Sequence, residues 1–178
     1  MKITINRSIV ELVQGDIAAQ ETDAIVNAAN TALAGGGGVD GAIHRAAGPT
    51  VKAEASKLAP CPPGEARITG GGRLKAAHII HAVGPVYKDG RHQEAALLER
   101  AYRSSLALAS THKIRSIAFP AISTGIYRYP LEEAARIALA TIGDYLVRHT
   151  DIALVRFVLF DERSYRIYQR TLEELSFG

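Results

Sequence analysis

The chain has a single cysteine, no block of like charge and no long apolar run, and each shortage excludes something. Cys61 has no partner for an internal bridge, so a disulfide framework is ruled out and a reducing compartment is expected. No apolar stretch approaches the ~20 residues of a membrane-spanning helix. The opening MKITINRSIVELVQGD lacks both an uninterrupted apolar region and a cleavage signature. A soluble, cytoplasmic protein with no membrane association is therefore the expectation. Lys and Arg number 21 against 18 Asp and Glu, a net charge of +3. Spread over this surface, that charge is a weak field: it permits anionic ligands and does not demand nucleic acid. Repeats and Ser-rich tracts are missing too, so nothing divides the 178 residues, and a single domain over 1–178 is expected. The composition, 47% hydrophobic and 22% charged, is ordinary globular usage. A chain of this length buries roughly two-thirds of its unfolded surface and needs no metal to hold it together.

Short runs rich in Ile and Val punctuate the chain at Ile3–Ile5, Ile9–Val13, Ala24–Ala28, His78–Val83, Ser116–Pro120 and Val155–Phe160, with a weaker one at Arg67–Thr69. Several are nearly continuous rather than alternating, as in strands covered on both faces. Helical patterns lie between them. Gln93–Ser110 carries Ala96, Leu97, Leu98, Tyr102, Leu106 and Leu108 on or near one stripe. Pro130–Arg148 opens with a proline and two acids, Glu132 and Glu133, where the helix dipole favours them. Asp161–Leu175 starts on a residue suited to an N-cap, and Asp40–Ala47 is a short helix opening on an acid. Strands alternating with helices imply βαβ units. The expected fold is α/β: a three-layer α/β/α sandwich around a mixed, mostly parallel sheet, with the first two strands as an antiparallel edge. Ligands of such sheets sit outside the carboxyl ends of the strands.

Two loops at strand ends are chemically unusual. The first is Asn27-Ala-Ala-Asn30-Thr-Ala-Leu-Ala-Gly35-Gly-Gly-Gly38-Val-Asp40-Gly-Ala-Ile-His44. Four glycines in a row cost backbone entropy, which makes sense where backbone must approach a ligand and offer bare N–H groups. A helix N-terminus just beyond adds partial positive charge, and the two together suit a phosphate. A flexible surface loop is the bland alternative, but it does not account for Asn30 and Asp40 bracketing the run. The string Gly36–Gly41 matches G-x-G-x-x-G, yet it lies well past a later strand rather than directly after the first. Val39-Asp40 also denies a P-loop its lysine. In the second loop, Pro120-Ala-Ile-Ser123-Thr-Gly-Ile-Tyr127-Arg-Tyr-Pro130, Ser123, Thr124 and the Gly125 amide could grip a diphosphate from the other side and Tyr127 could stack on a sugar; an ordinary strand-to-helix turn would explain Gly125 and Pro130 but not the whole string.

These strings resemble the macrodomain family, and within it the MacroD-type branch. The resemblance is carried by Gly15-Asp16-Ile17, Asp23-Ala-Ile-Val-Asn-Ala-Ala-Asn30, Gly35–His44, Cys61-Pro-Pro-Gly-Glu-Ala66, His81-Ala-Val-Gly-Pro85 and Ser123–Pro130, and it runs from about Val10 to Tyr168. It implies an ADP-ribose pocket and hydrolysis of ADP-ribosyl esters, with ADP-ribosylated proteins or O-acetyl-ADP-ribose as partners and no cofactor or metal. Asp16 would accept from the adenine amino group with Ile17 beside it, and Phe160 would pack on the ring. Gly35, Gly36, Gly37, Gly38 and Val39, with Ser123, Thr124, Gly125, Ile126 and Tyr127, would enclose the diphosphate and distal ribose. Asn30 and Asp40 would face the scissile ester as the catalytic pair, Asn30 orienting ribose hydroxyls and Asp40 ordering a water with help from the substrate's own phosphate. Arg128 stands where the family usually carries a small residue and bears on substrate preference.

Some residues keep a simpler reading. Asp40 could be only the N-cap of its helix, and Asp16 only a turn cap. His78 and His81 are spaced to opposite faces of a strand, so a shared metal is not expected. His44, one turn after Asp40, is near enough to be a second acid/base group but reads first as a packing or surface residue. Cys61 has no His–Asp support near it in sequence, and no cluster shows metal-ligand spacing. Arg163, Arg166 and Arg170 read as a solvated helix face. They are also the best candidates for RNA contact, which ranks below the hydrolase and below a non-catalytic ADP-ribose reader.

Overall fold

Residues Met1–Phe177 are described by the computed structural model. The Ile- and Val-rich runs become seven strands of one sheet: β1 (Lys2–Ile5), β2 (Ser8–Gln14), β3 (Ala24–Ala28), β4 (Ala66–Gly70), β5 (His78–Ala82), β6 (Ser116–Phe119) and β7 (Leu154–Leu159). Their order is β1-β2-β7-β6-β3-β5-β4. The five inner strands are mutually parallel, while β1 and β4 close the edges antiparallel. The expected antiparallel first edge is there; the second, through β4, was not foreseen.

The helices are α1 (Gly38–Ala47), α2 (Pro49–Ser56), α3 (Glu94–Thr111), α4 (Leu131–Arg148) and α5 (Glu162–Glu174). Strand side chains alternate between faces, and here they build two cores. Val26, Ile80, Phe119, Val155 and Phe157 point to one side and pack with Leu98, Tyr102, Leu139, Ile142 and Tyr168 of α3, α4 and α5. Ile25, Ile79, Ala118 and Val158 point to the other and meet Ile43 of α1 and Val51 of α2. The three-layer sandwich expected from the pattern is what forms. No helix among the described residues is long and apolar enough to cross a membrane.

Three details differ from expectation. Helix α2 was missed: only Val51 and Ala55 of it are buried, too short a stripe to show periodicity. The buried face of α3 runs through Ala101, Ser105 and Ala109, whereas Ala96 is exposed. Helix α1 begins at Gly38, not Asp40, with Gly37 as its cap. Asp161 does cap α5, its carboxylate accepting from the Ser164 amide at 2.8 Å.

Candidate functional site at the carboxyl rim

Because β2, β7, β6, β3 and β5 are parallel, their carboxyl ends share one rim, and both unusual loops leave from it. At one end of the rim, the amide of Gly15 after β2 donates to the carbonyl of Leu159 in β7 at 2.9 Å. Asp16 and Phe160 are each the next residue after this pair at the same end of the sheet. Phe160 is 86% exposed, far from the usual lot of a phenylalanine. Asp16 does cap a turn: its Oδ1 accepts from Ala18 at 2.9 Å, starting a 3-10 turn at Ile17–Ala19. A carboxylate accepts more than one bond, so this leaves acceptor capacity facing outward. Ile17 is buried in the cluster that holds Ile43 of α1, tying this end of the rim to the glycine loop.

The glycine loop is braced by Asn30, whose Nδ2 donates to Gly35 O at 2.9 Å and whose Oδ1 accepts from Ala34 N at 3.2 Å. Each end of that amide retains one further donor or acceptor position. The loop then lies against the first turn of α1. A Cβ on Gly41 would overlap the carbonyl oxygen of Gly36, so only glycine lets the two segments touch. The amides of Gly35, Gly36 and Gly37, and those of Gly38, Val39 and Asp40 in the first helical turn, donate to no other group among the described residues. Orphan amides of that kind, backed by a helix dipole, are an anion cradle.

The second loop faces the first: Ile126 Cδ1 lies 3.7 Å from where a Cβ of Gly37 would stand. Its base is pinned by Tyr102, whose hydroxyl accepts from Ile122 N at 3.1 Å. Ser123 sits at φ 68° and Arg128 at φ 61°, left-handed conformations that a non-glycine residue holds only under constraint. Part of the constraint is Gly84 after β5, where any side chain would overlap Ser123 Oγ. Another part is the Tyr87 amide, which donates to Tyr127 O at 2.8 Å. The amides of Ser123, Gly125, Ile126 and Tyr127 also lack partners among the described residues. Thr124 braces the turn through Oγ1 to Ala121 O at 2.8 Å. Ile126 is 76% exposed and forms a wall of the cleft; Arg128 is exposed beside it.

Asp40 lies between the loops and is 7% exposed. It is not a helix cap, since Gly37 takes that position and no side chain caps it. Instead its Oδ1 accepts from Asn27 Nδ2 at 2.8 Å and lies 3.3 Å from His44 Nε2. Its Oδ2 and the Asn30 amide nitrogen converge on Gly36, 3.2 and 3.8 Å from where a Cβ would stand there. Burial first, then the charge of Asp40, push the Tyr127 hydroxyl upward in pKa. Sequence reasoning had Asn30 and Asp40 together but missed Asn27, Thr69, His81, Gly41, Gly84 and Tyr102, and it put a packing or surface role for His44 ahead of an acid/base role beside Asp40. Nothing local marks them: Asn27 and His81 meet only because β3 and β5 pair in register.

His81 is fully buried, with Nδ1 3.2 Å from Asn27 Nδ2 and Nε2 2.9 Å from Thr69 Oγ1. Burial, then the nearby His44 ring, pull its pKa from 6.5 to about 4. The unfolded chain protonates this ring through 6.5 and the folded chain does not. Folding stability should therefore fall as pH drops from 6.5 to 4, by about 3 kcal/mol at one pKa unit per 1.36 kcal/mol. Urea unfolding at stepped pH checks this, with His81→Phe, which cannot titrate, as the chain that should lose the slope. Glu94 acts in a lower window. Burial raises its pKa, but amides including those of Lys88, Gly90 and His92 outweigh that and bring it from 4.5 to about 2.

Ligand atoms of Asp89, His92 and Glu94 lie within 4.8 Å of one another, a spacing the sequence reading passed over. The Glu94 oxygens, however, already accept from the amides of Lys88, Asp89, Gly90 and His92, and His92 pairs with Asp89 at 2.8 Å. These bonds hold a loop onto the start of α3. Cys61 is buried and burial raises its thiol pKa, the opposite of a nucleophile's environment. On α5, Arg166 pairs with Glu162 at 2.6 Å and Arg170 with Glu132 at 3.2 Å, leaving a groove of mixed charge rather than a cationic face.

Two amide-lined turns facing each other across the carboxyl rim of a parallel sheet define an α/β protein whose candidate ligand site lies at the strand ends. The chain belongs to the Macro domain family, whose model matches residues 26–138. It is 54% identical over 170 residues to a macro domain-containing protein of Caldanaerobacter subterraneus subsp. tengcongensis, covering 93% of this chain and 97% of that one. It is 52% identical over 172 residues to the O-acetyl-ADP-ribose deacetylase of Salmonella typhimurium, covering 94% and 96%. Among solved structures, the Oceanobacillus iheyensis macrodomain with ADP superposes with a TM-score of 0.94 at 47% identity, over 97% of this chain and 94% of that one. A variant of the same macrodomain has been solved with ADPR.

Proposed function

We propose that this chain, acting as one macro domain over its whole length, binds ADP-ribose and hydrolyses ADP-ribosyl esters. Its substrates on this reading are O-acetyl-ADP-ribose, which it deacetylates, and proteins carrying mono-ADP-ribose on acidic side chains. The observation that carries the proposal is the buried Asp40 carboxylate, turned with Oδ2 toward the space between Gly36 and Asn30 inside two sets of unpaired amides.

Phe160 offers an aromatic face to adenine, with Ile17 beside it and Asp16 as acceptor for the amino group. The amides of Gly35–Val39 and of the Ser123–Tyr127 turn hold the diphosphate, since a pyrophosphate needs donors and a helix N-terminus rather than lysines. That sets the distal ribose over Gly36, where Asn30 orients its hydroxyls. Asp40 orders and deprotonates a water that attacks the ester, and the substrate's phosphate helps to hold that water. The deacetylase name of the 52%-identical relative supports the reaction, and ADP or ADPR in the Oceanobacillus macrodomain supports the ligand. The lone buried thiol fits a cytoplasmic setting.

Calorimetry with ADP-ribose, paired with release of acetate and ADP-ribose from O-acetyl-ADP-ribose, tests the proposal. Binding with turnover is expected. Binding without product would leave a reader module, and binding of RNA with a steep salt dependence in place of both would point to nucleic acid.

A further inference from the structure

The strongest arrangement outside the cleft itself is a line of buried polar groups that crosses the sheet beneath it. It starts on edge strand β4 at Thr69, passes His81 on β5 and Asn27 on β3, and ends at Asp40 in the first turn of α1. Thr69, His81, Asn27 and Asp40 are all buried. Every proton along the line can be assigned. The Asn27 amide nitrogen carries two hydrogens and has two acceptors, Asp40 Oδ1 at 2.8 Å and His81 Nδ1 at 3.2 Å. A carboxylate cannot donate, so it is the nitrogen of Asn27 that faces Asp40. His81 Nδ1 must then be a bare lone pair, which puts the ring proton on Nε2. Nε2–H donates to Thr69 Oγ1 at 2.9 Å, and that hydroxyl donates in turn to Gly70 O at 2.9 Å. The Asn27 oxygen is buried with no partner, so this side chain is held by its NH₂ alone.

We propose that His81, locked by Thr69, is a positioning residue for the ester hydrolysis: it takes one Asn27 hydrogen so that the other grips Oδ1 of Asp40 and Oδ2 is left aimed at the ribose space. The inference rests on the catalytic reading of Asp40 given above. Asn27 and His44 both meet Oδ1, and only Oδ2 faces Gly36 and Asn30. Without an acceptor at position 81, the Asn27 amide keeps only its bond to Asp40 Oδ1, its second hydrogen is buried without a partner, and its rotamer is held less firmly. Asp40 would then be positioned less tightly while the backbone amides of the cradle keep their places. Neither His81 nor Thr69 touches the cleft, so the effect belongs in turnover and not in ligand affinity.

The test is a set of full-chain variants assayed for kcat and KM on O-acetyl-ADP-ribose and for ADP-ribose affinity by calorimetry. His81→Phe keeps a ring but removes the acceptor, and kcat is expected to fall roughly tenfold or more, within the ~10²-fold that a 1 Å misplacement costs, with ADP-ribose affinity unchanged. His81→Asn keeps an acceptor oxygen where Nδ1 stands and should regain most of the lost kcat. In an Asp40→Ala background, His81→Phe should change the residual rate by no more than about twofold, because coupled residues are not additive. Should His81→Phe not fold, Thr69→Val removes only the hydroxyl that fixes the ring and should lower kcat alone, by roughly threefold. Wild-type kcat in His81→Phe, a parallel loss of affinity and kcat, or an undiminished effect in the Asp40→Ala background would each overturn the positioning role. A wild-type rate in Asp40→Ala itself would instead overturn the catalytic reading of Asp40, a result that stands apart from the behaviour of position 81.

Discussion

Asp40→Ala is expected to lower kcat on O-acetyl-ADP-ribose by roughly 10²- to 10⁴-fold, the span of general acid–base catalysis, with ADP-ribose bound as well as before or better. Two facts separate the two readouts. The groups assigned to the diphosphate are backbone amides, which alanine retains. The Asp40 carboxylate is a negative charge set near the place proposed for a negative ligand, so removing it relieves repulsion. Alanine is also a good helix former, and Gly37 rather than Asp40 caps α1, so the helix itself loses no cap. Asn27 loses one acceptor, which costs about 1–3 kcal/mol of stability for a buried donor left unpaired. Single-turnover product analysis beside calorimetry reads both quantities. An Asp40→Ala chain that turns over at the parent rate would remove Asp40 from the chemistry.

Gly41→Ala should lower ADP-ribose affinity by about tenfold or more. In an exposed helix this change would stabilise by about 1 kcal/mol. Here the new methyl would overlap Gly36 O and come within 3.1 Å of Arg45 Nη1. Overpacking of that kind costs about 1–3 kcal/mol and is relieved by backbone movement. The backbone free to move is the glycine loop, since α1 is anchored by Ile43 in the sheet-side core. Relief therefore comes out of the cradle, and 1.4 kcal/mol lost there is tenfold in affinity. Calorimetry and thermal unfolding on the same samples decide the point. A variant that binds normally and melts higher than the parent would mean that the loop does not need its contact with α1.

How much of this was legible beforehand varies by element, for a common reason. Near-continuous Ile and Val at Ala24–Ala28 and Val155–Phe160 announced strands covered on both faces, because burial on two sides leaves no polar positions to alternate. The Asp161 cap and the acids opening α4 were readable because capping is a contact within one turn. Helix α2 was not, since two buried residues make no period. The two loops were legible as chemistry, four glycines flanked by Asn30 and Asp40, and the resemblance to macrodomains supplied their ligand. The surroundings of Asp40 were not, because Asn27, His81 and His44 each look ordinary within their own segments.

Composition, periodicity and turn residues, all properties of neighbours along the chain, were enough by themselves to set the layered α/β class, most element positions and the two phosphate-suited loops. The tertiary structure alone decided that the loops face each other, that Gly41 and Gly84 are the close contacts shaping them, and that Asp40 has one oxygen held and one free. Those outcomes depend on strand order and register, which place β3 between β5 and β6 and bring together residues that are 13 to 54 positions apart. Interactions of that range come from packing the whole sheet, and no local pattern encodes them.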